Sequence, residues 1–298
     1  MFGLSMIIAL AAQLLFPIVT SNIKGTLVTL PIVSCLVVWP YYYAGVVLSI
    51  AITRAPYPVA RTYGVDLIGA AAGCLFALGI MNAIDAPSAI LLLSLLSLFC
   101  AGRFSPQSEN FDLKQRAIPF IILAVLAANL ALPKPLVYPL WVKNQFIPQQ
   151  ALAHDEWNSI SRVTVNNEAQ DVPPFLWGPS PKLPDDIKIS YHLLQIDGDA
   201  ATPIYHYTPE MNLDFLDYDV TTLAYALRGL KSAGIVGLGG GRDVLSAHHA
   251  GISRITALDV NNVQVKLLSS EEPFVSYAGL KTNLPDLRMH GAGVHRPR

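Results

Sequence analysis

Apolar residues fill the first 134 positions in long unbroken runs, whereas later positions alternate between apolar and polar over short stretches broken by proline and glycine. A bilayer core about 30 Å thick is crossed by roughly 20 apolar residues in a helix. The runs predict five spans, give or take one, near residues 3–20, 26–52, 63–83, 86–104 and 117–133. The first lacks a basic leading segment and a small-residue cleavage site, so it reads as a span and not as a signal peptide. The second contains Pro31 and Pro40, which predict one tilted or kinked helix in place of two complete ones.

Beyond the spans, residues 135–149 read as a surface linker in which Tyr138 and Trp141 suit a membrane interface. Ser159 to Val165 alternates with period two, the mark of a half-buried strand. Ile187 to Ile196 is a second strand, ending in the turn pair Asp197-Gly198. Between them Pro173, Pro174, Gly178, Pro179, Pro181 and Pro184 exclude regular structure. A small antiparallel β unit is expected here. Thr221 to Leu230 predicts a helix with Asp219 at its start, followed by a strand at Ile235-Val236, a helix over Arg242–Ala250 stopped by Gly251, and a parallel strand over Arg254–Val260. The pattern divides the chain into a transmembrane helical domain (1–134), a linker and β unit (135–210) and a partial nucleoside-binding domain (211–298).

Composition sharpens the division. The 298 residues are 52% hydrophobic and 14% charged, against about a quarter charged in soluble domains. Eleven formal charges lie within residues 1–134 and the other thirty beyond. A net charge of −1 leaves no electrostatic footprint for nucleic acid. Cys35, Cys74 and Cys100 sit in apolar segments without metal-ligand spacing, and His154, His192, His206, His248 and His249 are read as surface or core residues, so no metal is expected. Gly69 and Gly73 share a helix face and predict close packing within the subunit, ahead of dimerisation. Asp66, near the start of a span, is expected at the interface, where it reaches headgroups or pairs with Arg61 or Arg54, ahead of a polar site inside the bundle.

The chemistry concentrates at Gly237-Leu238-Gly239-Gly240-Gly241-Arg242-Asp243. Glycines there permit backbone angles and close approaches that a Cβ blocks, and the following helix start turns amides toward a ligand. Asp259, at the end of the next strand, can accept hydrogen bonds from both ribose hydroxyls. The spacing is not G-x-G-x-x-G, because Arg242, Val244 or Ser246 occupies the third glycine position. That favours an adenosyl-sulfur cofactor over a dinucleotide.

These residues, with Asp259-Val260-Asn261 and Leu194-Gln195-Ile196-Asp197-Gly198-Asp199-Ala200, resemble the spermidine synthase family of aminopropyltransferases. The likeness is closest to its bacterial membrane-fused relatives, which carry segments similar to Tyr63-Gly64-Val65-Asp66-Leu67-Ile68-Gly69-Ala70 and Trp157-Asn158-Ser159-Ile160-Ser161-Arg162-Val163. The resemblance implies a multi-pass α-helical membrane domain, a small β unit and an incomplete α/β Rossmann-like domain of the S-adenosylmethionine-binding type. It assigns Gly237, Gly239, Gly240, Gly241, Asp243, Asp259 and Asn261 to S-adenosylmethionine or its decarboxylated form, with Asp197, Asp219 and Tyr225 toward a polyamine substrate. Tyr225-Ala226 departs from a tyrosine-histidine pair in the family, and Ala292 stands where an acid contacts the adenine side. The catalytic acid that follows the family's fourth strand lies past Arg298, so the chain reads as C-terminally truncated and without turnover, and no catalytic residue is assigned.

The expected function is that of a membrane-anchored spermidine synthase-like protein, a transferase in complete form. A methyltransferase-like protein and a non-catalytic membrane protein or degenerate fragment are the alternatives. Its partners are the lipid bilayer, the adenosyl cofactor and a second copy in a homo-oligomer. Arg54, Arg61, Arg103, Lys114 and Arg116 mark one side as cytoplasmic by the positive-inside rule, which with five spans puts the C-terminal domain outside. A cytosolic adenosyl cofactor demands the opposite, and the motif is given precedence: a bacterial inner-membrane protein with its C-terminal domain in the cytoplasm.

Overall fold

The computed structural model describes residues 1–17, 22–54, 56–104, 113–227 and 229–292. Glu109, Asp112 and the closing Val294–Arg298 lie outside the described residues, as do the side chains of Lys114 and Arg116. The chain folds as two compact units, one of residues 1–150 with 157–161 and the other of residues 151–156 with 162–298.

In the first unit each apolar run becomes a helix: α1 (Phe2–Leu15), α2 (Ile23–Arg54), α3 (Val59–Met81), α4 (Ala86–Phe104) and α5 (Leu113–Ala131). Three of them, α2, α3 and α4, are long and apolar enough to cross a membrane, while α1 and the apolar part of α5 are shorter. The N-terminal region is thus suited to a bilayer. Pro31 and Pro40 lie inside α2, which continues through both to Arg54. Asn22 starts it, its Oδ1 accepting the N–H of Gly25 at 2.6 Å.

Packing within this unit centres on α1, α4 and α5, where Leu10, Leu14, Leu91, Ile122 and Leu126 form a core. At Gly3 any Cβ would collide with Oγ of Ser97, and Ser94 donates its hydroxyl to the Gly3 carbonyl at 2.8 Å. Asp85 caps α4 by accepting the Ser88 N–H at 2.8 Å. Asn129 on α5 donates to Oγ of Ser88 at 2.8 Å and accepts the N–H of Val137 at 2.6 Å, so a buried polar network ties α4 to α5.

In α3 the close packing expected at Gly69 and Gly73 fails. The space at Gly69 and Gly73 is open, with no atom of the described residues near enough to pack on that face. Asp66 is exposed and makes no ion pair with Arg61 or Arg54 among the described residues; the guanidinium of Arg61 lies instead over the ring of Tyr57. The linker, in turn, is more ordered than its prolines suggested. It forms a hairpin of β1 (Trp141–Val142) and β2 (Gln145–Phe146), closed by Lys143 and Asn144 with φ of 46° and 68°, the left-handed pair of a two-residue turn.

The second unit opens with an antiparallel sheet of β3 (Leu152–Trp157), β4 (Arg162–Asn166), β5 (Ala169–Val172), β6 (Ile189–Ile196) and β7 (Ala200–Tyr205). The alternating stretch expected from Ser159 begins its strand only at Arg162, because Oδ1 of Asn158 accepts the N–H groups of Ile160 and Ser161 and holds a turn there. β6 pairs with β4, β5 and β7. Asp197 and Gly198, with φ of 51° and 73°, make the expected turn between β6 and β7.

A second sheet has three parallel strands in the order β10 (Leu287–Gly291), β9 (Arg254–Asp259), β8 (Ser232–Val236). The helices α6 (Arg242–His249) and α7 (Asn262–Ser269) follow β8 and β9, and α8 (Phe274–Ala278) and α9 (Leu280–Asn283) lead to β10. One face of this sheet, with Ile235, Ile255 and Ala257, is buried; the other leaves Val236 90% and Leu258 45% exposed. The helix expected over Thr221–Leu230 is instead a 3-10 helix, Val220–Tyr225, preceded by another at Asp214–Tyr218. Thr221 and Thr222 favour this tighter form: Thr222 sends its hydroxyl to the Leu216 carbonyl at 2.7 Å and Thr221 to Asp219 at 2.8 Å.

The boundary expected near residue 210 does not separate compact bodies. Val163, Val165, Leu194 and Ile204 of the antiparallel sheet share one core with Ile235, Val244, Leu245, Ile255 and Leu267.

Candidate functional site

The glycine turn leaves β8 at its carboxyl end and runs into α6. Gly237 and Leu238 both donate their N–H to the Leu258 carbonyl, at 2.8 and 3.1 Å, which pins the turn to β9. Asp259 follows immediately. Its Oδ2 accepts the N–H of Gly239 at 3.2 Å and its Oδ1 the N–H of Asn261 at 2.8 Å. Asp259 is 9% exposed and each of its oxygens accepts one backbone amide. Asn261 caps α7, its Oδ1 accepting the Val263 N–H at 3.1 Å, and is 2% exposed.

Two glycines explain why the turn needs them. A Cβ on Gly240 would collide with the carbonyl oxygen of Pro203 on β7, so this glycine serves the packing of the two sheets. Gly237 has φ of 94° and open space around it; it is the glycine at which backbone lies bare beside Asp259. The turn therefore has a packed side, made by Gly239 to Gly241, and an open side at Gly237. Thr202 holds the packed side, accepting the Gly240 N–H on Oγ1 at 3.3 Å.

A second cluster sits at the start of α6. Arg242 is 7% exposed. Its Nε and Nη2 donate to Oδ1 of Asp243 at 3.2 and 2.9 Å, and its Nη1 lies 3.2 Å from Oδ2 of Asp219 as an ion pair off the hydrogen-bond line. The side chain of Asp219 has no exposed surface. Its Oδ1 accepts the Thr221 N–H at 2.9 Å, and its Oδ2 accepts the Trp177 N–H at 2.9 Å. Thr221 also reaches Oδ1 of Asp243 at 3.4 Å. Tyr225 borders the group; burial pushes its phenol above the usual range, the Asp243 carboxylate adds to the rise and Arg242 opposes it.

Comparison of the chain with protein-family models, with curated proteins and with solved structures returns no match.

The residues singled out in the sequence thus fall into three groups. Gly237, Gly239, Gly240 and Gly241 after β8, with Asp259 ending β9 and Asn261 just after it, lie at adjacent strand ends, joined by the Gly239 N–H to Asp259. Asp243, Asp219 and Tyr225 gather around Arg242, but Asp219 is committed to backbone and arginine and does not face open space. Asp197 lies apart in the β6–β7 turn, exposed, where its Oδ1 accepts the Arg162 N–H at 2.9 Å. Sequence reasoning missed Thr202, Thr221 and the buried role of Arg242. Thr202 precedes Gly240 by 38 residues and carries no local signal; Arg242 was legible only as an arginine where a glycine pattern breaks.

Proposed function

We propose that this chain is a membrane-anchored binder of S-adenosylmethionine or its decarboxylated form, related to the spermidine synthase-like transferases. The observation that carries the reading is the pairing of the Gly237–Gly241 turn with Asp259 across two adjacent parallel strands. Ligands of open α/β sheets bind outside the carboxyl ends of the strands, and this turn and this acid lie there. The strand order β10-β9-β8, with α6 and α7 between the strands, supports the reading because it is the order expected of one half of a Rossmann-like sheet. In the proposed complex the ribose hydroxyls donate to Asp259, and the exposed backbone at Gly237 lies against the nucleoside. Once bound, the sulfonium offers an electrophilic carbon to an amine or another nucleophile. A cytosolic cofactor requires the second unit to be in the cytoplasm.

Calorimetric titration of the full chain in detergent with S-adenosylmethionine, its decarboxylated form and methylthioadenosine tests this, beside Asp259→Ala. Binding that the variant loses supports the reading; no binding to any of the three removes it. Product analysis then separates methylthioadenosine, from aminopropyl transfer, from S-adenosylhomocysteine, from methyl transfer.

A second reading, binding without turnover, draws on Asp219. That acid is directed toward a polyamine channel by the resemblance, yet is sealed against Arg242 and the Trp177 amide. Formation of either product by the purified chain would remove this reading.

A further inference from the structure

His154, Glu156 and Glu271 lie well outside the glycine turn and take no part in the proposed adenosyl site. The first two are on β3, two residues apart, so period two places both side chains on one face of the strand. The third follows α7 in the chain. Each offers a ligand atom within 4.8 Å of the others. A tetrahedral site with bonds of about 2.1 Å needs ligand atoms about 3.4 Å apart, so the two glutamate side chains would have to rotate to close around an ion. Nε2 of His154 is fully buried without a hydrogen-bond partner, although Oε2 of Glu156 lies 3.2 Å away. A buried polar atom in that condition is uncommon in folded proteins. The ring is held in place against Phe274, centroids 6.0 Å apart.

One cation already serves the carboxylates. Nζ of Lys266 on α7 stands 2.5 Å from Oε1 of Glu271 and 3.8 Å from Oε2 of Glu156. Its side chain is 51% exposed, free to swing into solvent. The ammonium serves the glutamates but offers no acceptor to an imidazole N–H, so Nε2 faces Oε2 of Glu156 at ion-pair distance without a hydrogen bond.

We propose that His154, Glu156 and Glu271 form a binding site for a borderline divalent metal, Zn2+ foremost, with Lys266 as the cation that the metal displaces. One imidazole and two carboxylates suit Zn2+, whereas Mg2+ and Ca2+ take oxygen ligands and Cu(I) takes thiolates. Three protein ligands leave a fourth position for water. The bound metal joins β3 to the segment between α7 and α8, a cross-link between the antiparallel sheet and the helices beside the parallel one. No sequence spacing announces it, because Glu271 is remote from the His-x-Glu pair.

The test is titration of Zn2+, and separately Mg2+, into the full chain in detergent, read by calorimetry and by thermal unfolding. We expect one saturable Zn2+ site, an unfolding temperature that rises with Zn2+, and no comparable Mg2+ response. His154→Ala and Glu271→Gln should weaken Zn2+ binding by at least the about 10- to 100-fold typical for loss of an outer-shell partner. Lys266→Met should tighten it, a gain that misfolding cannot produce. Absence of saturable Zn2+ binding overturns the proposal. So does Zn2+ binding that is unchanged by both His154→Ala and Lys266→Met, since the metal would then sit on other residues.

Discussion

The amide of Gly239 donates to Oδ2 of Asp259 across 3.2 Å, joining the middle of the glycine turn to the acid that ends the neighbouring strand. The same carboxylate accepts from Asn261 through Oδ1, so Asp259 holds the loops after both β8 and β9. A side chain expected to serve only a ligand is also part of the frame. Ligand binding and local stability are therefore coupled at one residue.

Asp259→Ala leaves the amides of Gly239 and Asn261 without their acceptor. An unsatisfied buried group costs about 1–3 kcal/mol, and a loss of that order is expected for the variant in denaturant unfolding of the full chain. Unchanged stability would show that water replaces the carboxylate at once and that the frame role is wrong.

Gly240→Ala forces a Cβ into the carbonyl of Pro203, with backbone on both sides and no flexible side chain to move. Overpacking of this kind costs about 1–3 kcal/mol. Gly234→Ala, where the space is open, is the control, expected to be neutral or slightly stabilising in the strand. Thermal unfolding of the two variants should separate clearly, and equal behaviour would contradict the close sheet-to-turn contact.

Asp219→Ala removes the carboxylate partner of a buried arginine and the acceptor of two amides. Breaking one side of a buried ion pair costs about 3–5 kcal/mol, so the variant should unfold readily or fail to accumulate. If it is instead as stable as the parent but binds polyamine less well, Asp219 belongs to a substrate channel after all.

Alkaline pH should destabilise the second unit. Burial pushes the phenol of Tyr205 well above its usual value near 10, and its hydroxyl donates to the Phe175 carbonyl at 2.6 Å. Above that usual value the unfolded chain releases the proton while the folded chain keeps it, so stability falls as pH rises; below it this tyrosine adds no pH dependence. Tyr205→Phe should flatten the alkaline slope of unfolding free energy against pH, and a slope unchanged in the variant would assign it to other groups.

Hydrophobic pattern alone located the five N-terminal helices α1 to α5, because a long apolar run marks a helix from its own composition, although only α2, α3 and α4 have the length and apolarity to cross a membrane. It likewise placed the cores of β4, β6, β8, α6 and β9, whose periodicity and turn residues are local. The strands β3, β5 and β7 escaped it, since short strands owe their form to partners across the sheet. So did the 3-10 form of Val220–Tyr225, set by threonine hydroxyls that reach back to Leu216 and Asp219. At the candidate site, the glycines and Asp259 announced themselves by order along the chain. Only the tertiary structure decided that Gly240 is small for the sake of Pro203, that Asp219 is sealed against Arg242, and that Glu271 meets His154 and Glu156. Each of those relations depends on distance in space between residues far apart in sequence, and side-chain order along a chain carries no record of it.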